Sequence, residues 1–189
     1  SQEELDEYIR ISAEKAEQLR TMSDKMFRYF YVYSKGGEDL NMEMFPAGPF
    51  LDQMLGEYVV LLGENGYQFD IDISDKEAEI YVDLQGMKRI TDNVFTNIRK
   101  YSDKSKSIDI RVYIDRRKVR IYFRNYINPE GGKAESTHIG TLTCQKMAEE
   151  MNGSFTTCRK GKVYEATLTL PNMLNDDDSH VPTQGLTAI

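Results

Sequence analysis

Cysteine is scarce in this sequence, with Cys144 and Cys158 the only two among 189 residues. That excludes a disulfide-stapled scaffold and suits a reducing compartment, where both thiols are expected to be small buried apolar residues; neither has zinc-ligand spacing. Long apolar runs are missing as well. None approaches the ~20 residues that cross a bilayer, and the opening Ser1-Gln-Glu-Glu-Leu-Asp-Glu resembles no signal peptide, so the chain as given reads as soluble. Nor is there any excess of positive charge. The 24 basic and 31 acidic side chains leave −7, which argues against a surface that attracts nucleic acid or anionic membrane as a whole. Any polyanion must be held locally. No internal repeat is present.

What the sequence does have begins with a stretch free of Gly and Pro from Glu3 to Tyr33. Within it Leu5, Ile9, Ser12, Ala16, Leu19, Ser23, Met26, Phe30 and Tyr33 recur at spacings of four and three, a heptad seam on a helix ~45 Å long. Such a repeat asks for a partner helix; the other reading is a surface helix lying on its own domain. Two serines and an alanine weaken the seam as a two-stranded coiled coil. Tyr8, Met22 and Phe27 widen the apolar face toward bundle packing. Ser34-Lys-Gly-Gly ends the helix, dividing residues 1–36 from a domain at 37–171 and an acidic tail at 172–189 that carries Asp176, Asp177 and Asp178.

Inside the domain, Pro49 introduces a helical pattern with apolar residues at 50, 51, 54, 55, 58 and 62, stopped by Gly63 to Gly66. Phe69, Ile71 and Ile73 then alternate with polar residues as a half-buried strand, and Glu79 to Val82 reads as its short partner. Residues 83–101 return to helical spacing, with Leu84, Met87, Ile90, Val94, Ile98 and Tyr101 on one face. Alternation at Ile108 to Ile114 and at Val119 to Phe123, around Asp115-Arg-Arg-Lys, predicts a hairpin. A helix at 139–151 capped by Asn152-Gly153 and two strands, 154–157 and 163–170, complete an α+β sandwich with helices on one face of a mixed sheet.

The chemistry concentrates on the helix at 83–101. Asn93, Asn97 and Lys100 are spaced by four and three residues and so form one narrow stripe, at the edge of the apolar face where a groove between helix and loops would lie. Asparagine oxygen is a neutral hard ligand, suited to Mg²⁺ that arrives already carrying phosphates, and lysine supplies a point charge for those phosphates. By spacing alone the stripe reads more readily as a solvated face with two ordinary asparagines.

The stretch from Asp83 through Asn93-Val-Phe-Thr-Asn97-Ile-Arg-Lys100-Tyr101-Ser resembles the asparagine box in the ATP-binding domain of bacterial sensor histidine kinases. The likeness extends along about 5–171. Glu7 to Ser34 is similar to the second helix of the family's dimerisation bundle, Ile139-Gly140 through Phe155 to its second glycine box and following helix, and Tyr164 to Pro171 to its closing strand. The resemblance implies a Bergerat-type ATP-binding sandwich preceded by a long bundle helix, with ATP and Mg²⁺ as cofactors. It implies that Asn97 is the principal Mg²⁺ ligand, that Asn93 and Lys100 contact phosphates, and that Tyr101 borders the nucleotide. The expected ATP-binding set is Asn93, Asn97, Lys100, Tyr101, Asn125, Ile127, Gly140 and Thr141.

Departures from the family pattern sharpen these expectations. In the first glycine box Asn125 stands in the aspartate's place and Tyr126-Ile127-Asn128-Pro129 follows without the glycines. A neutral amide forfeits a charge-assisted bond to the adenine amine, worth about 1 kcal/mol, but can both accept and donate along a purine edge. In the second box only Gly140 is kept, where backbone amides can still meet phosphate at a helix N-terminus. His138 beside it is either a lid residue or an ordinary loop histidine. The stretch from Asn125 to Gly140 is short for a lid.

Neither His138 nor His180 stands where the family's phosphoacceptor lies, on the first bundle helix. The chain is therefore expected to begin partway through the bundle, with no acceptor of its own. The resemblance implies a histidine protein kinase that signals to a response regulator and forms a homodimer through the N-terminal helix. It implies no nucleic acid, a cytoplasmic domain, and a parent in the bacterial cell membrane through upstream segments. The alternative is a degenerate, non-catalytic dimerising or regulatory module of the same fold. A chaperone or mismatch-repair relative has no place for the heptad helix.

Overall fold

The computed structural model describes residues 2–33, 40–128 and 139–175. His138, His180, the Ser34-Lys-Gly-Gly break, the stretch at 129–138 and the aspartates of the tail lie outside the described residues. Helix α1 (Gln2–Tyr33) runs without interruption, as expected from a segment lacking Gly and Pro. Its seam residues Leu5, Ile9, Leu19 and Met26 are exposed, Leu19 at 68%. They are not covered by the helix's own domain.

A five-stranded mixed sheet organises the rest, in the order β2 (Phe69–Ile73), β4 (Ile108–Ile114), β5 (Lys118–Tyr126), β7 (Val163–Pro171), β6 (Ser154–Lys160). β2 and β4 are parallel; the other neighbours are antiparallel. Alternation does the work here. Ile108, Ile110, Val112 and Ile114 of β4, Val119, Ile121 and Phe123 of β5, and Ala166, Leu168 and Leu170 of β7 all turn to one buried face. Helices α2 (Ala47–Gly63), α3 (Leu84–Tyr101) and α4 (Ile139–Glu150) contribute Leu51 and Leu55, Met87 and Ile90, and Met147 and Ala148 to the same core. The opposite face of the sheet is charged and open, with Arg111 paired to Asp70 at 2.6 Å and Arg124 to Asp109 at 3.2 Å.

Local chemistry sets the turns. At the β4–β5 hairpin one carboxylate oxygen of Asp115 accepts from the backbone N–H groups of Arg117 and Lys118, each at 2.9 Å. The Arg117 amide, foremost, holds the Asp115 carboxyl below the usual carboxylate range. Asp83 caps α3, its Oδ2 accepting from Gly86 N at 2.5 Å while Oδ1 accepts from Asn41 N at 3.1 Å. Gly66 ends the α2 turn at φ +85, a conformation that suits a residue without Cβ.

Three details depart from the expectation. A strand, β1 (Met42–Pro46), precedes α2, which starts at Ala47 so that Pro49 falls in its first turn. The segment expected to partner β2 is instead β3 (Glu79–Asp83), and it pairs antiparallel with β1 in a separate two-stranded sheet. Strand alternation identifies a strand's buried face, not its neighbour, and β2 finds its partner in β4, far along the chain. Finally, Cys144 is buried as expected but Cys158 is exposed. It sits opposite Glu165 on the open face of edge strand β6.

Candidate functional site

The asparagine stripe of α3 meets the start of α4 over the β6–β7 edge of the sheet. Asn93, Val94 and Asn97 form one wall of a small pocket, Gly140, Thr141 and Cys144 the other, and Phe155, Tyr164 and Ala166 the floor. Four of the residues expected from the sequence, Asn93, Asn97, Gly140 and Thr141, thus meet in one cavity.

Asn93 is more enclosed than a stripe at the edge of the apolar face would suggest, at 5% exposure. Its amide nitrogen donates to the carbonyl of Arg89 at 3.0 Å, which leaves the amide oxygen as its acceptor. Asn97, one turn on, is half-buried, and Lys100 is exposed in the last turn of α3. The stripe therefore grades from buried amide to solvated cation. Opposite it, Gly140 and Thr141 occupy the first turn of a 12-residue helix, where backbone N–H groups without an intrahelical partner and the helix dipole favour an anion.

The remaining expected residues lie next to this cavity rather than in it. Backbone bonds stitch the end of α3 to the end of β5: Asn128 N donates to Tyr101 O at 2.8 Å, Asp103 N to Tyr126 O at 2.8 Å, and Ser102 bridges Ile127. Tyr101 and Ile127 are brought together in this way. Ser102 Oγ is buried there and is the one side-chain polar atom of its kind without a hydrogen-bond partner among the described residues. Asn125, 4% exposed, is inward-facing on β5 and paired in register with Tyr164 of β7.

Tyr164 is the floor residue that pattern reading passed over. Burial raises its pKa above the ordinary phenol value, with the nearby Thr157 and Thr141 side chains acting in the opposite direction. The signal was in the sequence. Positions 164, 166, 168 and 170 alternate, so Tyr164 belongs to the inward face with Ala166 and Leu168, although a polar-tipped residue at a strand's start reads easily as a rim position.

Comparison with known proteins places this arrangement. No family model matches the chain. Over 167 residues it is 27% identical to the sensor histidine kinase YrkQ of Bacillus subtilis strain 168, an alignment that takes in 88% of this chain and 38% of that protein. The chain thus spans well under half the length of that relative. Among solved structures, the histidine kinase AdeS of Acinetobacter baumannii superimposes with a TM-score of 0.66 at 13% identity, covering 85% of this chain and 82% of that one. The catalytic domain of the histidine kinase ThkA, in a nucleotide-free form, superimposes with a TM-score of 0.57 at 18% identity, covering 69% of this chain and 98% of that one.

Proposed function

We propose, from the premise that this chain is a homologue of a sensor histidine kinase with the fold of the histidine kinase catalytic domains, that its α3–α4 pocket binds Mg-ATP for phosphotransfer to a histidine. The observation that carries this reading is the convergence of Asn93 and Asn97 with Gly140 and Thr141 in one cavity. The acceptor is a bundle histidine outside the described residues. The phosphoryl group passes from it to a response regulator, and α1 supplies one helix of a homodimeric bundle in a parent anchored in the membrane by other segments. The exposed seam of α1 supports that part.

The donor set fits a metal that comes with its nucleotide. Asn97 offers a neutral amide oxygen, and among the described residues no group of three or more His, Cys, Asp or Glu side chains could hold a cation alone. Mg²⁺ bound with ATP supplies charge neutralisation of the phosphates. The work of the chain itself is positional. Asn97 takes the metal, the amides at Gly140 and Thr141 hold phosphate oxygens, Asn93 fixes the register of the phosphate chain, and Lys100 draws the polyanion from the solvent side. Tyr101, Ile127 and Asn125 border the base, where the unpartnered Ser102 hydroxyl is a polar group that a ligand or water can satisfy. Transfer then rests on holding the γ-phosphate in line with the histidine, since positioning and charge stabilisation carry most of phosphoryl-transfer catalysis.

Two measurements test the reading. Mg-ATP at about 100 times its Kd is expected to stabilise the chain by about 2.7 kcal/mol, seen as a rise of several degrees in Tm. Asn97→Ala should abolish that rise while leaving the unliganded Tm within a degree or two. No shift at millimolar Mg-ATP would favour the regulatory, non-catalytic module instead. In a second experiment Mg-GTP should stabilise the chain nearly as well as Mg-ATP. Asn125 can present either its carbonyl or its NH₂ to a purine edge, which a carboxylate cannot. Strong preference for ATP would show that Asn125 does not read the base.

A further inference from the structure

Ser102 is where α3 stops and the chain becomes extended. Its backbone N–H still donates to the carbonyl of Ile98 at 2.9 Å, but its own φ −78 and ψ 145 belong to a strand. Beside β5, Asp103 N donates to Tyr126 O and Asn128 N to Tyr101 O, both at 2.8 Å. Ser102 and Ile127 are thereby a directly opposed antiparallel pair of the kind that exchanges no hydrogen bond between its own two residues. Opposed residues share a face, and so do residues two apart on one strand. Ser102, Ile127 and Asn125 therefore point the same way, with Ser102 and Asn125 as diagonal neighbours, an arrangement that sets Cα atoms roughly 7–8 Å apart. That face is the inward one, since Ser102 is 6% exposed and Asn125 4%. Asn125 is in turn in register with Tyr164, which floors the α3–α4 pocket.

A buried hydroxyl normally has a partner, because leaving it unmet costs stability. Ser102 Oγ has none among the described residues, the amide of Asn125 included. Alanine would fill the same space without that cost, so the hydroxyl adds nothing to the free fold. We propose that Ser102 is a base-binding residue, its hydroxyl satisfied by the edge of a purine that Asn125 holds from the next position on the same face. The proposal rests on the nucleotide reading of the adjoining pocket. A purine edge carries donors and acceptors; a serine hydroxyl can rotate to meet either, as the Asn125 amide can turn to meet either. The pair thus favours a ligand with a base over one without, and does not prefer adenine to guanine. Phosphate contacts lie elsewhere, on Asn93, Asn97 and the first turn of α4, so loss of the hydroxyl penalises only ligands that carry a base.

The test compares the parent chain with Ser102→Ala and the near-isosteric Ser102→Cys. Two quantities are measured on the full chain: the unliganded Tm, and the Kd by calorimetric titration of Mg-ATP, Mg-GTP and Mg-tripolyphosphate, which carries the charges without a base. An ordinary hydrogen bond is worth a factor of roughly two to ten in an equilibrium constant. Both variants are therefore expected to bind Mg-ATP and Mg-GTP about fivefold more weakly, and Mg-tripolyphosphate within about twofold of the parent. Their unliganded Tm should stay level or rise by a few degrees. Nucleotide affinity then falls with no loss of stability, which a structural hydrogen bond of Ser102 would not produce. A lower unliganded Tm in both variants would mean that the hydroxyl is bonded in the free fold, and would overturn the proposal. Unchanged Mg-ATP affinity, or equal weakening for all three ligands, would overturn it and leave the nucleotide reading intact. Failure of the parent to bind Mg-ATP at millimolar concentration would overturn both.

Discussion

Phe95→Ala is expected to lower the stability of the domain by about 3–5 kcal/mol, in the range of buried Phe-to-Ala truncations, and Tm by roughly 10 °C or more. The ring is 3% exposed and is the centre of an aromatic cluster. It stacks on Tyr58 of α2 at 4.6 Å between centroids and 8° between planes, and meets Phe123 of β5 edge-on at 6.0 Å and 83°. It also lies 6.3 Å from Phe69 of β2. One side chain on α3 thus fastens the helix to another helix and to two strands of the sheet. Tyr58 is itself held, its hydroxyl donating to Asp92 at 2.5 Å, and burial first, then the Asp92 carboxylate, pushes its pKa well above the ordinary phenol value. Since Phe95 lies between Asn93 and Asn97 in sequence, the cluster also positions the asparagine wall of the pocket. Chemical denaturation of Phe95→Ala and Phe95→Leu checks the assignment: leucine should recover a large part of the loss. A cost below about 1 kcal/mol for alanine would mean that the cluster does not hold α3.

Gly153→Ala is the second large effect, about 3 kcal/mol, at the upper end of overpacking costs. A Cβ at this position would stand 2.3 Å from the carbonyl oxygen of Thr169, 3.0 Å from the Leu170 side chain and 3.3 Å from the carbonyl oxygen of Ala148. Two of those three contacts are with backbone, which cannot swing away as a side-chain end can. The glycine is also where α4 stops. Asn152 adopts φ 55 and Gly153 N donates to Ala148 O at 2.7 Å, closing the helix before β6 begins. Accommodating a methyl group would push α4 from β7 and with it the Gly140–Thr141 wall. The expected readout is a Tm lower by roughly 10 °C together with weakened Mg-ATP binding. An alanine variant as stable as the parent would show that the β6–β7 edge shifts freely.

These two expectations divide the pocket into its supports. The asparagine wall depends on an aromatic cluster in the middle of α3, and the Gly140–Thr141 wall on a glycine at the far end of α4. Neither support touches the proposed ligand, so both should act on binding through position, whereas Asn97→Ala acts on it directly.

Much of this was legible in the residues alone. The period of α3 placed Asn93, Asn97 and Lys100 in one stripe, because residues three and four apart on a helix share a face whatever surrounds it. Strict alternation in β4 and β5 marked the dry side of the sheet before any partner strand was known, and Asp115 marked their hairpin. Those are local relations, determined by covalent geometry and side-chain polarity. The pairing of β3 with β1 and of β2 with β4 could not be obtained that way, since each joins segments more than 30 residues apart, and an alternating strand fits several neighbours equally well. The burial of Asn93 likewise depended on α4 crossing its helix edge. So did the place of Tyr164: its inward face follows from the chain, but only the tertiary structure sets it in register with Asn125 of β5 and in one pocket with Thr141 of α4. Contacts between distant segments are decided by how whole surfaces pack, and that is a property no single segment carries.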